Sequence, residues 1–185
     1  MTEETFICVD VETAGPNPGQ YSILSIGACP VFDTGTTFYV ELKPDRDDFQ
    51  PDALAISGLD MSELKKNGVE PAKALQDFSA WLKKVVPEES RAVFVALNAP
   101  FDWMFVNDYF HRYLGYNPFG HSALDIKAYF MGQTGVDWSE TSMKHLSSHF
   151  VEERHLTHNA LRDAQDQAEI FQMILKQNPR FSQQE

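Results

Sequence analysis

Thr5-Phe6-Ile7-Cys8-Val9-Asp10-Val11-Glu12-Thr13 is the stretch that decides the fold. Thr5 to Val11 is a β-branched and aromatic run with acids only at its end, the pattern of a central, largely buried strand. Asp10 and Glu12 stand two apart, so period-two geometry sends both side chains to the same face. Two carboxylates turned toward an apolar interior are costly unless something positive neutralises them, and a metal ion does this well. Two solvated acids just past the end of the strand would read the same way.

Working outward, Ala14-Gly15-Pro16-Asn17-Pro18-Gly19 makes a turn. The runs Tyr21 to Val31 and Thr36 to Leu42 predict two more strands, separated by Asp33-Thr34-Gly35. Lys43 to Asp52 reads as an acidic loop, with short helical pieces over Pro51–Ser57 and Met61–Lys66. Leu75, Phe78, Leu82 and Val85 recur at three and four residues and predict an amphipathic helix over Pro71–Val86, with Pro71 in its first turn. Arg91 to Leu97 is a buried strand, and Pro100–Leu114 a helix closed by Gly115. Two shorter segments, Ala123–Met131 and Thr141–Phe150, precede a last helix from about Asn159 to Lys176. An early antiparallel meander followed by alternating strand and helix gives an α/β unit with a mixed sheet, a single domain over 1–185 with its core at about 5–176.

The composition narrows function by exclusion. The 185 residues are 43% apolar and 23% charged, with ten Gly and ten Pro, as in soluble globular proteins. No apolar run approaches the ~18 residues of a membrane span, and Met1-Thr2-Glu3-Glu4 lacks the basic start of a secretory signal, so the expectation is a cytoplasmic protein without membrane contact. Cys8 and Cys29 lie in apolar runs and read as reduced core thiols. Neither a CxxC pair nor an HExxH motif occurs, which argues against a zinc site. Fifteen basic against 27 acidic residues give a net charge of −12, opposite to the basic footprint of a protein that holds long nucleic acid. An anionic substrate would be met locally, by a patch of Lys and Arg or by divalent cations in an acidic pocket.

Two further places carry chemistry. Asn98-Ala99-Pro100-Phe101-Asp102 follows the strand ending at Leu97 and puts Asp102 in the first turn of a helix, where the dipole alone favours an acid by ~0.3–1 kcal/mol. The rings of Phe101, Trp103 and Phe105 around it exceed what one buried helix face needs, and such rings can serve as a platform for bases. In His158-Asn159-Ala160-Leu161-Arg162-Asp163-Ala164, five helical residues would rotate ~140° net, so His158 must precede the helix if it and Asp163 address one point. Asp10, Glu12, Asp102, Asp163 and His158 thus fall at strand ends and helix starts, where α/β folds build sites. Four carboxylates in one pocket could not all ionise near neutrality without divalent cations, and hard oxygen donors suit Mg²⁺ or Mn²⁺.

These motifs resemble the DEDD exonucleases, the superfamily of ribonuclease T and the DNA polymerase III proofreading exonuclease, in the DEDDh branch whose last motif carries histidine. The match runs from about Thr5 to Ile174, and Gln50-Pro51-Asp52-Ala53-Leu54-Ala55, Ser57-Gly58-Leu59-Asp60, Asn117-Pro118-Phe119 and Gly132-Gln133-Thr134 bring it nearest to the ribonuclease T type. The resemblance implies a ribonuclease H-like, five-stranded mixed sheet flanked by helices. It also implies metal-dependent 3′-5′ hydrolysis of single-stranded nucleic acid, RNA or DNA, from a free 3′ end. Asp10, Glu12, Asp102 and Asp163 would hold two ions ~3.5–4 Å apart, and His158 would be the general base. The backbone at Thr13 and Ala14 would meet the terminal 3′ hydroxyl, Asn98 would join the substrate contacts, and Leu59 with Phe101 and Phe105 would form a stacking pocket. Leu97 stands where relatives often have His. Lys65-Lys66, Lys83-Lys84 and Arg162 are the candidates for holding a strand, and a homodimer is expected by the same analogy. The alternatives are a DNA-directed proofreading or repair exonuclease, and a noncatalytic interaction domain on the same fold.

Overall fold

The computed structural model describes residues 3–150, 155–178 and 181. Its sheet has five strands in the order β3-β2-β1-β4-β5: β1 Glu3–Thr13, β2 Ile23–Pro30, β3 Phe38–Glu41, β4 Ser90–Ala96 and β5 Ala123–Asp125. The β1–β2 and β2–β3 pairs are antiparallel, while β1–β4 and β4–β5 are parallel. The meander and the later parallel strands therefore both form, and β1 lies at their junction. Its residues Ile7, Val9 and Val11 join one core cluster while Phe6 and Cys8 join another, so β1 is buried on both faces as its apolar run predicts.

Helices α1 Pro51–Ser57, α2 Met61–Asn67, α3 Pro71–Val85 and α4 Ala99–Leu114 alternate with the strands, followed by α5 Ile126–Thr134, α6 Met143–Phe150 and α7 Ala160–Lys176. Phe78 of α3 and Phe105, Val106, Tyr109 and Phe110 of α4 pack on the Ile7-Val9-Val11 face. Phe171, Ile174 and Leu175 of α7, with Phe130 of α5, pack on the Phe6-Cys8 face. The short segment expected as Ala123–Met131 divides into a three-residue strand and a helix, because the Asp125 carboxylate accepts the Lys127 N–H and starts α5 there. No described helix is long and apolar enough to cross a membrane.

Two features carry the architecture into the site. Pairing of β1 with β4 stops at Cys8–Val95, so Asp10 to Thr13 overrun β4 and pair with β2 alone. At the same level Gly27 of β2 lies opposite Asp10. A Cβ there would overlap the Ala160 carbonyl and the Leu161 nitrogen, so only glycine lets the start of α7 approach this close to the sheet.

Candidate active site

Asp10 and Glu12 leave the Phe6-Cys8 face of β1, the face covered by α7, and so point at the N-terminal end of that helix. Asp163, one turn inside α7, is 2% exposed and uses both carboxylate oxygens on the approaching loop. Oδ1 accepts from the Thr157 N–H at 2.7 Å and the Thr157 hydroxyl at 2.9 Å, and Oδ2 accepts from the His158 N–H at 2.7 Å. His158 precedes the helix, exposed, with φ of 56°. Only Asn98, at φ 68°, shares that left-handed conformation among the described non-glycine residues, and it starts α4 at the opposite wall. Both are conformations that L side chains rarely adopt, held here by their own N–H groups, that of Asn98 donating to the Asp125 carboxylate and that of His158 to the Asp163 carboxylate.

Asp102 comes from the other side of the sheet. It sits in the first turn of α4, 4% exposed, and its Oδ1 accepts the Val11 N–H at 3.1 Å, a donor left free where β1 overruns β4. Asp10, Glu12, Asp102, His158 and Asp163 thus line one cleft of about 430 Å³ beyond the C-terminal ends of β1 and β4. Donor atoms of Glu12, His158 and Asp163 lie within 4.8 Å of one another, a grouping able to hold a metal ion. No ion pair among the described residues neutralises any of the four carboxylates. Burial first, and then the neighbouring carboxylates, raise Asp10 well above the usual carboxylate range. Burial likewise raises Asp102 against the pull of the Val11 N–H. Burial and the Asp163 carboxylate push Glu12 up to about 7. Hard oxygen donors crowded without a cation fit a divalent metal ion.

Around this centre several expectations change. Phe101 lines the cleft, but Phe105 is 0% exposed in the core between α4 and the sheet and offers no ring to a base. Leu59 packs beside Ala14, Tyr21, Leu24, Met61 and Leu64, away from the cleft, and Ile56 of α1 reaches it instead, 55% exposed. Helical spacing could not separate the two rings, since Phe101 and Phe105 stand four apart on one face with centroids 5.4 Å from each other. Thr13 lines the cleft and its hydroxyl donates to the Gly15 carbonyl. Ala14 is absent from the cleft lining; its N–H donates to the Ser22 carbonyl and its own carbonyl accepts the Gln50 N–H. Lys65 and Lys66 pair with Asp47 and Glu63. Among the described residues the one Lys or Arg lining the cleft is Lys127.

Two residues that the motifs did not flag hold the site in register. Gln167, 2% exposed on α7, donates from Nε2 to Asp10 Oδ1 at 2.8 Å and accepts the Leu97 N–H at 2.8 Å on Oε1. It joins the ends of β1 and β4 where their ladder has stopped, and its place one turn after Asp163 was the available signal. Asp125, at the end of β5, accepts the N–H groups of Asn98, Ala99 and Lys127 on Oδ1 and so starts two helices at once.

With this geometry in view, the family model of the Rv2179c-like 3′-5′ exoribonuclease domain matches residues 5–175. The chain belongs to this family. This Rv2179c-like chain is 45% identical over 174 residues to the 3′-5′ DNA exonuclease Cap18 of Escherichia coli, covering 94% of the chain and 93% of the relative. It is 29% identical over 177 residues to ribonuclease T of Salmonella choleraesuis (strain SC-B67), covering 89% and 81%. Among solved structures it is similar to the nuclease domain of 3′hExo, a DEDDh family member bound to rAMP, with a TM-score of 0.79, 16% identity, and coverage of 95% and 94%. It also resembles Escherichia coli Exonuclease I in complex with a dT13 oligonucleotide, at a TM-score of 0.74 and 20% identity, covering 97% of this chain and 43% of that one. The Rv2179c-like family is one of 3′-5′ exonucleases, and the five-stranded mixed sheet is the DEDDh nuclease fold, as the three motifs imply.

Proposed function

We propose that this protein is a metal-dependent 3′-5′ exonuclease that removes nucleoside 5′-monophosphates from single-stranded nucleic acid. The observation that carries this reading is the convergence of Asp10, Glu12, Asp102, Asp163 and His158 in one cleft with no basic side chain paired to the acids among the described residues. The four carboxylates would hold two ions, Mg²⁺ or Mn²⁺, which when bound polarise the phosphate and lower the pKa of water. His158, on a loop that the Asp163 carboxylate anchors through its N–H, takes the proton of the attacking water as general base. Asp102, tied to the Val11 N–H, keeps the α4 carboxylate at the end of β1. Ile56 of α1 and Phe101 of α4 offer apolar surface to the last base, and Thr13 and Asn98 line the same cleft where the 3′ end would lie.

Digestion of 3′-labelled and 3′-blocked DNA and RNA oligonucleotides, with Mg²⁺, Mn²⁺ or EDTA, tests polarity, sugar choice and cation need together. The name of Cap18 makes DNA the first substrate to try, and the description of the family model makes RNA the matched comparison. Hydrolysis only from a free 3′ end and only with divalent cation is the expected result. His158→Ala should keep metal and substrate binding and lose ~10²–10⁴-fold in turnover; cleavage at wild-type speed removes His158 from the mechanism.

A further inference from the structure

A chain of net charge −12 needs somewhere to meet the phosphates upstream of the bond it cuts, and the lysine pair on α2 is already bound to acids. The remaining cation at the cleft is Lys127, near the start of α5, which forms no ion pair among the described residues. Two carboxylates of the surrounding segment serve backbone N–H groups. Asp125 serves three backbone N–H groups, and Glu140 accepts the Asp137 N–H at 3.3 Å. The Lys127 ammonium lies 4.3 Å from the ring centroid of Trp138, a contact that orients it without cancelling its charge.

Trp138 is 49% exposed. Its backbone is nevertheless clamped. It opens the 3-10 turn Trp138–Glu140, whose ends are fixed by a reciprocal capping box between Asp137 and Glu140. The hydroxyl of Thr141, 0% exposed, donates to the Trp138 carbonyl at 2.7 Å. The next residues, Ser142 and Met143, line the cleft itself. A rigidly mounted open ring, one short segment from the cleft and beside its single lysine, is the arrangement that binds a single strand by stacking and charge.

We infer that Lys127 and Trp138 form a docking subsite for the nucleotides that precede the 3′-terminal one, the indole stacking a base and the ammonium meeting a phosphate. The subsite rests on the exonuclease reading above and extends it beyond the cleft. Stacking and a phosphate contact are indifferent to the 2′ position, so the subsite takes DNA and RNA alike.

The test titrates phosphorothioate-linked dT10 and dT2 into the Mg²⁺-loaded protein, so that binding is read without turnover. Trp138→Ala should weaken dT10 binding by about 10-fold and leave dT2 within 2-fold, and Trp138→Phe should stay within about 3-fold of wild type. Lys127→Gln should weaken dT10 by about 5-fold and reduce the slope of log K on log salt by about 0.7, one phosphate contact fewer. Losses under 2-fold on dT10, or equal losses on dT10 and dT2, overturn the subsite. Failure of wild-type protein to shorten unmodified dT10 or U10 with Mg²⁺ or Mn²⁺ overturns the exonuclease reading, and the titration still judges the subsite. Absence of any dT10 binding by wild type overturns the subsite alone.

Discussion

Replacing Gln167 by Leu keeps the volume near constant and removes its hydrogen bonds to Asp10 and Leu97, and the weak one from the Cys8 thiol, at the point where the β1–β4 ladder has ended. Without metal, burial and the neighbouring carboxylates hold Asp10 well above its ordinary pKa and so favour the neutral acid, to which a hydrogen bond is worth about 1 kcal/mol. The Leu97 N–H loses its acceptor, which costs about 1–3 kcal/mol. With some return from the added apolar surface, the metal-free variant should be less stable by about 2 kcal/mol. For a chain of this size that is a fall of roughly 4–8 °C in Tm. Metal binding needs the Asp10 carboxylate, to which a hydrogen bond is worth about 1.5–3 kcal/mol. The hydrogen bond from Gln167 also pulls the Asp10 pKa down against its burial and the neighbouring carboxylates. The variant should therefore lose about 1 kcal/mol more in the loaded state, or about 5-fold in Mg²⁺ affinity. Thermal unfolding in EDTA and calorimetric Mg²⁺ titration read the two parts separately. A Tm within 1 °C of wild type would refute the bridging role, and a lowered Tm with unchanged Mg²⁺ affinity would refute the coupling to Asp10.

Three further outcomes follow from the same geometry. Gly27→Ala should drive α7 from β2 and carry Asp163 and His158 with it, lowering both Tm and turnover by more than the loss of any one surface contact; a fully active, stable variant would show that the close approach is not needed. Glu12, raised to about 7 by burial and then by Asp163, makes the folded metal-free state bind more protons than the unfolded one. Its contribution to stability is therefore full below about pH 4.5 and lost as pH rises through about 7, and saturating Mg²⁺ should reverse that decline and release protons at pH 7; flat Tm between pH 5 and 8 in EDTA, or metal binding without proton release, would contradict it. Asp45→Ala should cost about 3 kcal/mol in urea unfolding, since its carboxylate accepts from Tyr109 at 2.6 Å, Tyr113 at 2.7 Å and Ser22 at 3.0 Å and pairs with Arg112, which together outweigh its burial and hold its pKa down to about 2; a loss under 1 kcal/mol would reduce that cluster to surface pairing.

Much of this was legible in the order of residues because local periodicity fixes a side chain's face. The two-residue step from Asp10 to Glu12 put both acids on one side of β1. The net rotation between His158 and Asp163 required the histidine to precede α7. Gly115 ended α4 in the left-handed conformation that glycine adopts freely. The same periodicity says nothing about what packs against a face. Whether the rings of Phe101 and Phe105 faced a substrate or the core depended on how α4 lay on the sheet, and Leu59 turned inward because α1 and α2 had Ala14 and Leu24 to cover.

The sequence by itself determined most of the elements and the mixed sheet, and it singled out Asp10, Glu12, Asp102, Asp163 and His158 as candidates through their spacing and the family resemblance of their motifs. Only the tertiary structure decided what holds them together: the free Val11 N–H that seats Asp102, the Gln167 bridge, the bare Cα of Gly27 under Ala160, and the pairing of Lys127 with Trp138. Each joins segments distant in the chain, and such contacts are set by which surfaces meet after collapse, a choice that no local pattern of residues encodes.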